Sequence, residues 1–190
     1  MLESLKAAAE RYVGFILRTE EEWNVVASEK PPVSEILFPF TTMGVALMLV
    51  ASVLGYLLRT APGSFLLEML FTAAVYAVPL AVFAVTSRTL ASRFGAVRAD
   101  LAIAVCLYAF SPAWLVSALH VIPVVSFGWL WLTISLVFVS LLFARGSTSV
   151  LGIPDRRRSL FIAACLASLV LTMAGAFLLK YLWLLSKEIF

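Results

Sequence analysis

Hydrophobic positions follow two different patterns along this chain. Residues 2–18 place Leu2, Leu5, Ala9, Tyr12, Val13 and Ile16 on one helical stripe, with Glu3, Lys6, Glu10 and Arg18 off it. That is the period of an amphipathic helix. Such a stripe either lies on a membrane surface or packs on the ends of other helices. From residue 36 onward the apolar runs are continuous. A hydrocarbon core of about 30 Å takes roughly 20 helical residues to cross, which divides the chain into spans near 36–58, 65–87, 100–120, 121–144 and 159–184. The bilayer offers no water to backbone groups, and nothing here alternates as a barrel strand does, so each span is helical. The expected fold is all-α: a polytopic membrane protein with a five-helix transmembrane bundle over 34–190, preceded by a cytoplasmic amphipathic or interfacial helical segment over 1–33.

Polar residues and prolines punctuate this pattern. Thr19-Glu20-Glu21-Glu22-Trp23 predicts a second short helix with Thr19 as N-cap and Glu22 closing a capping box, ended by Lys30-Pro31-Pro32. Pro39 fits a first turn of span one, where Ala51 and Gly55 form a small-xxx-small pair. Residues 59–64 form a short turn. Pro79 and Pro112 fall within spans two and three, where proline frees a carbonyl and bends the helix, and Ser111 or a neighbouring hydroxyl is expected to satisfy what Pro112 frees. His120-Val121-Ile122-Pro123 leaves almost no loop, so spans three and four form an antiparallel hairpin.

Composition agrees with this pattern: 63% of the 190 residues are hydrophobic and 13% charged, with a mean hydropathy of +1.03. The net charge of +3 does not point to nucleic acid, because the basic residues lie between apolar runs and form no binding face. They report orientation instead. Eleven of the fourteen Lys and Arg fall in the N-terminal segment (Lys6, Arg11, Arg18, Lys30), the second-to-third connection (Arg88, Arg93, Arg98) and the fourth-to-fifth (Arg145, Arg156, Arg157, Arg158). Arg59, Lys180 and Lys187 fall on the other side. The N-terminus is therefore expected in the cytoplasm and the C-terminus outside, in a plasma or inner membrane, or in the ER or Golgi of a eukaryote. Charges precede any apolar run at the N-terminus, so the first span is expected to act as an uncleaved insertion signal. Cys106 and Cys165 lie within apolar runs and read as packing residues. The last four residues contain no cysteine for prenylation.

Candidate chemistry is sparse. Glu68 is the only acid well inside an apolar run, which makes it a candidate for ion or proton handling; near the outer end of span two, it also suits an interfacial or paired role. Lys180, late in span five, is its candidate partner or a snorkelling residue. Tyr76 and Ser111 are polar groups near the two proline bends, and broken helices line cavities in some transporters. Arg156, Arg157 and Arg158 suit a topology anchor or a contact to an anionic lipid or partner. Trp114, Trp129, Trp131 and Trp183 read as interfacial belt residues. With one histidine, His120, and no Gly-x-Ser-x-Gly, the sequence offers no metal set, nucleophile–base pair or cofactor motif, and no enzyme is expected.

Trp23-x-x-Val26 followed by Glu29-Lys30-Pro31, then five spans with Tyr108-Ala109-x-Ser111-Pro112-Ala113-Trp114 in the third and Ile122-Pro123 after it, resembles the Yip family of Ypt/Rab-interacting proteins. The resemblance covers roughly Phe15 to Trp183. It implies a five-span protein with a cytoplasmic N-terminus, with Tyr108 and Pro112 as fold-defining residues. Glu20-Glu21-Glu22 stands where bacterial-type members often have a proline before the tryptophan. The long cytoplasmic tail of eukaryotic members is absent, so the compact prokaryotic members are the nearer likeness and Rab binding is not carried over. The expected function is a non-enzymatic membrane adaptor or organiser whose cytoplasmic face meets anionic lipids or proteins. The alternative is a small transporter or channel with a polar cavity around Glu68, Tyr76 and Ser111. The bilayer is the expected partner, and homo-oligomerisation is left open.

Overall fold

The computed structural model of this chain describes residues 2–57, 65–117 and 126–189. Helices α1 (Leu2–Leu17) and α2 (Thr19–Glu29) precede α3 (Val33–Leu57) and α4 (Phe65–Arg93). A 3₁₀ turn (Ala99–Leu101) leads into α5 (Ala102–Ala109) and α6 (Ser111–Ser117), followed by α7 (Ser126–Ser149) and α8 (Asp155–Ile189). No strand occurs among the described residues. Five segments are long and apolar enough to cross a membrane: Val33–Ala51, Leu70–Arg93, Ala99–Val116, Leu130–Ser149 and Asp155–Trp183. The protein is thus all-helical and has the make-up of a multi-pass membrane protein. The expected turn at 59–64 and the hairpin at His120–Pro123 lie outside the described residues.

The helices run past their apolar stretches. α4 has 29 residues and α8 has 35, so at 1.5 Å per residue they are about 43 and 52 Å long, against a core of about 30 Å. Arg88, Arg93, Arg145 and Arg156–Arg158, expected in loops, therefore lie on helices, and only residues 150–154 connect α7 to α8. Span four, expected to end at 144, continues to Ser149. Hydropathy marks where an apolar stretch ends, not where the helical ladder does: in the α7 extension Ser147, Thr148 and Ser149 donate their hydroxyls to carbonyls four residues back and the helix runs on.

The third span lies at the centre. In the most apolar 18 residues of each span, 72% are buried in Ala99–Val116, against 17% in Asp155–Trp183 and 22% in Val33–Ala51. It packs on α3, α4 and α7, while α8 lies along α4. This central span is broken at Phe110, as Pro112 leads one to expect, because proline has no N–H to continue the ladder. Phe110 N–H donates to Cys106 O at 3.0 Å and Ala113 N–H to Phe110 O at 3.0 Å, tightening the chain through the break. The expected role of Ser111 is not seen: its hydroxyl is fully buried and has no hydrogen-bond partner among the described residues. In contrast, α4 runs unbroken through Pro79 and α3 through Pro39, which sits in the second turn of α3, not its first.

Trp114 is not a belt residue. It is buried, its ring 5.8 Å from those of Tyr76 and Phe110. A Cβ at Gly44 would lie 2.5 Å from its indole, so the missing side chain is what lets α3 close over it. Cys106 and Cys165 are buried, as expected of packing residues.

The three arginine-bearing segments meet at one end of the bundle. Arg98 Nη1 donates to Ala27 O at 2.7 Å at the end of α2, and Arg98 N–H donates to Leu151 O at 3.3 Å in the α7–α8 connection.

Candidate functional site at the arginine-bearing end

Helices α1 and α2 fold back on this end. The Glu22 side chain lies over Gly14, where a Cβ would meet its carboxylate, and this places the carboxylate 3.7 Å from Arg11 Nε. The expected capping box does not form. Arg18 occupies the N-cap without a side-chain bond, Thr19 Oγ1 donates backward to Phe15 O at 2.8 Å, and Glu22 is drawn to Arg11 instead. A cation offers a carboxylate more than an exposed backbone amide does. At the far end of α2, Lys30 takes a left-handed conformation (φ 47°) and its N–H donates to Val26 O. The chain then turns into α3.

Arg11, on α1, joins α2 to α5. Its Nη2 lies 2.8 Å from Glu29 Oε2, its Nη1 donates to the Tyr108 hydroxyl oxygen at 3.2 Å, and its guanidinium stands 5.7 Å from the Tyr108 ring centroid. Burial works against the charge on Arg11, yet the hydrogen bonds from Arg11 to Tyr108 and Glu29 outweigh it and hold its pKa above the ordinary value. A planar fork of donors makes these contacts together; an ammonium cannot.

Below Arg11 lies an aromatic cluster. The Tyr108 ring packs on Phe15 (4.9 Å), edge-on to Phe40 (4.9 Å) and edge-on to Trp23 (6.4 Å). Tyr12 stacks on Phe40 at 4.0 Å and donates its hydroxyl to Phe40 O at 3.0 Å; burial pushes its phenol pKa up. Trp23, 1% exposed, sits against α7 where a Cβ at Gly146 would come within 2.8 Å of its indole.

The stripe expected on α1 therefore divides. Tyr12 and Phe15 are buried in the bundle, whereas Val13, Ile16 and Leu17 are 54%, 48% and 74% exposed. Phe15, off the expected stripe, is wholly buried, its ring against those of Trp23 and Tyr108. A cavity of 470 Å³ remains between α1, α2 and α3, lined by both acids and arginines and by Tyr108.

Of the candidate functional residues read from the sequence, Tyr108 is the one among the described residues that joins this cluster directly; Trp23 and Glu29, quoted for the family resemblance, join it too. Pro112 sits at the helix break just beyond it. Tyr76 and Ser111 are buried in the bundle, Tyr76 against Trp114. Lys180 Nζ donates to Thr72 Oγ1 at 2.8 Å, one turn from Glu68 on α4; the side chain of Glu68 lies outside the described residues, as does His120. Trp183 stacks on Phe71 at 4.6 Å. Arg156 and Arg157 are exposed, while Arg158 is tied to Asp155 and to Ile153 O. Arg11 was counted only as a topology charge; its position between Glu10 and Tyr12 on a largely polar flank gave no signal that it reaches Tyr108, 97 residues away. No family model, curated protein or solved structure matches the chain.

Proposed function

We propose that this is an integral membrane protein of five spans, with its N-terminus in the cytoplasm, that works as a non-enzymatic adaptor presenting α1 and α2 as a folded cap. The observation that carries this reading is the Arg11–Tyr108 cluster, which holds the cap on the end where the basic segments gather. That gathering is what the positive-inside rule leads one to expect of a cytoplasmic face. Val13, Ile16 and Leu17, exposed on α1, suit contact with the acyl–headgroup boundary. The likeness to the Yip family supports the same topology.

Affinity purification from native membranes tests the adaptor reading, comparing the intact chain with one lacking residues 1–33 whose insertion has been checked. Specific proteins or lipids lost with the cap are the expected result. Identical recoveries from both forms would remove the reading.

A second reading, a small transporter, draws on the break at Phe110 and the buried, unpartnered Ser111 hydroxyl in the central span. Solute flux through reconstituted protein that falls on Glu68→Gln would favour it.

A further inference from the structure

The cavity between α1, α2 and α3 has a composition that narrows what fits it. Its polar lining is Glu10, Arg11, Arg18, Glu22, Glu35 and Tyr108. Its volume of 470 Å³ falls within the roughly 300–1,000 Å³ of small-ligand sites. Arg11 and Glu22 are largely occupied with each other and with Tyr108 and Glu29. Three lining groups are then available to a ligand: Arg18 and Glu10 each make only an exposed 3.9 Å contact, to Glu21 and Lys6, and Glu35, which adjoins the apolar lining at Ile36, has no ion-pair partner among the described residues. An anion alone would meet three carboxylates, and a cation alone would meet two guanidinium groups. A ligand with both a phosphate and an ammonium satisfies each side.

The floor of the cavity indicates where such a ligand comes from. Ile36, Pro39 and Phe40 line it from the first two turns of α3, which is itself a span candidate beginning at Val33. The cavity therefore extends from the polar entry of that span toward its apolar part. Exposed Leu37 and Phe38 stand beside it on the same helix, 46% and 63% exposed. A headgroup with its acyl chains lying along α3 matches this order of polar and apolar surfaces; a soluble zwitterion leaves the apolar part unused.

Resting on the membrane reading above, we infer that this cavity binds the headgroup of a phosphoethanolamine lipid, with the ammonium on Glu35 and the phosphate on Arg18. A primary ammonium donates hydrogen bonds to a carboxylate, which the methylated choline headgroup does not. Both named side chains are exposed at the rim, so substituting them leaves the aromatic cluster intact.

The test is native mass spectrometry of the full chain released from vesicles of phosphatidylcholine containing equal parts of phosphatidylethanolamine and phosphatidylglycerol. Preferential retention of phosphatidylethanolamine is expected, falling by about fivefold in both Glu35→Gln and Arg18→Gln, the loss one partly exposed ion pair represents. Equal retention of the three lipids, preference for phosphatidylglycerol, or a preference that both variants keep would overturn the proposal. Displacement of the lipid by free phosphoethanolamine alone would uphold the headgroup chemistry and overturn the lipid as its source. Carbonate extraction of the same membranes separates the two levels. Protein that stays in the pellet without lipid preference defeats only the headgroup site, whereas protein that washes out defeats the membrane reading beneath it.

Discussion

The far edge of the Trp23 indole on α2 meets α7 at Gly146, where a Cβ would come within 2.8 Å of the indole and 2.9 Å of Val105. This contact ties residues 123 apart in sequence and seats the cap on the bundle. Gly146→Leu is therefore expected to force the cap off, with a smaller strain passed to Val105 of α5. Limited proteolysis reads it: cleavage within residues 2–30 should appear in the variant and not in the parent. A cap equally resistant in both would show that the indole does not depend on this gap.

Trp23→Ala removes the same contact from the other side and empties a buried site. A fully buried large aromatic is worth about 3–5 kcal/mol in a packed core, so a clear fall in thermal stability in nanodiscs is expected. An unchanged melting profile would place Trp23 outside the cooperative unit.

Arg11→Lys keeps the charge but loses the fork that meets Glu29 and Tyr108 together. Buried hydrogen bonds to charged groups contribute about 1.5–3 kcal/mol each, and solvent reaching the half-buried guanidinium reduces this to about 1–2 kcal/mol for the set. The expected outcome is a destabilised cap nearly as marked in Arg11→Lys as in Arg11→Ala. Full rescue by lysine, measured by the same proteolysis, would mean that charge alone suffices.

Gly44 and Gly175 make a matched pair of substitutions. A Cβ at Gly44 would sit 2.5 Å from the Trp114 indole, whereas nothing lies within 4 Å of one at Gly175. Gly44→Ala should lower the melting temperature, and Gly175→Ala should leave it level or raise it slightly, as loss of backbone freedom in the unfolded chain predicts. Equal behaviour of the two would contradict the close approach of α3 to Trp114.

Orientation can be read with single cysteines in place of Val97 and Ser149, both exposed at the arginine-bearing end. A membrane-impermeant maleimide should label them only from the cytoplasmic side, while a cysteine at Ser186 should label only from the opposite side. Labelling of Val97→Cys in sealed cells would reverse the proposed topology.

The sequence by itself determined the number and placement of the apolar helices and the break near Pro112. Length against bilayer thickness and the missing proline N–H are local properties, legible one segment at a time. Helix ends were misjudged at Arg88, Arg93, Arg145 and the Arg156–Arg158 run because hydropathy reports the lipid boundary, not the end of the hydrogen-bond ladder. Which flank of α1 turns inward, why Trp114 is buried and what Arg11 reaches were decided only by the tertiary structure. Each depends on contacts between helices far apart in sequence, two of them made where one helix has glycine. Gly44 and Gly146 permit those two approaches, and a missing side chain leaves no mark in a hydropathy pattern until its neighbour across the gap is known.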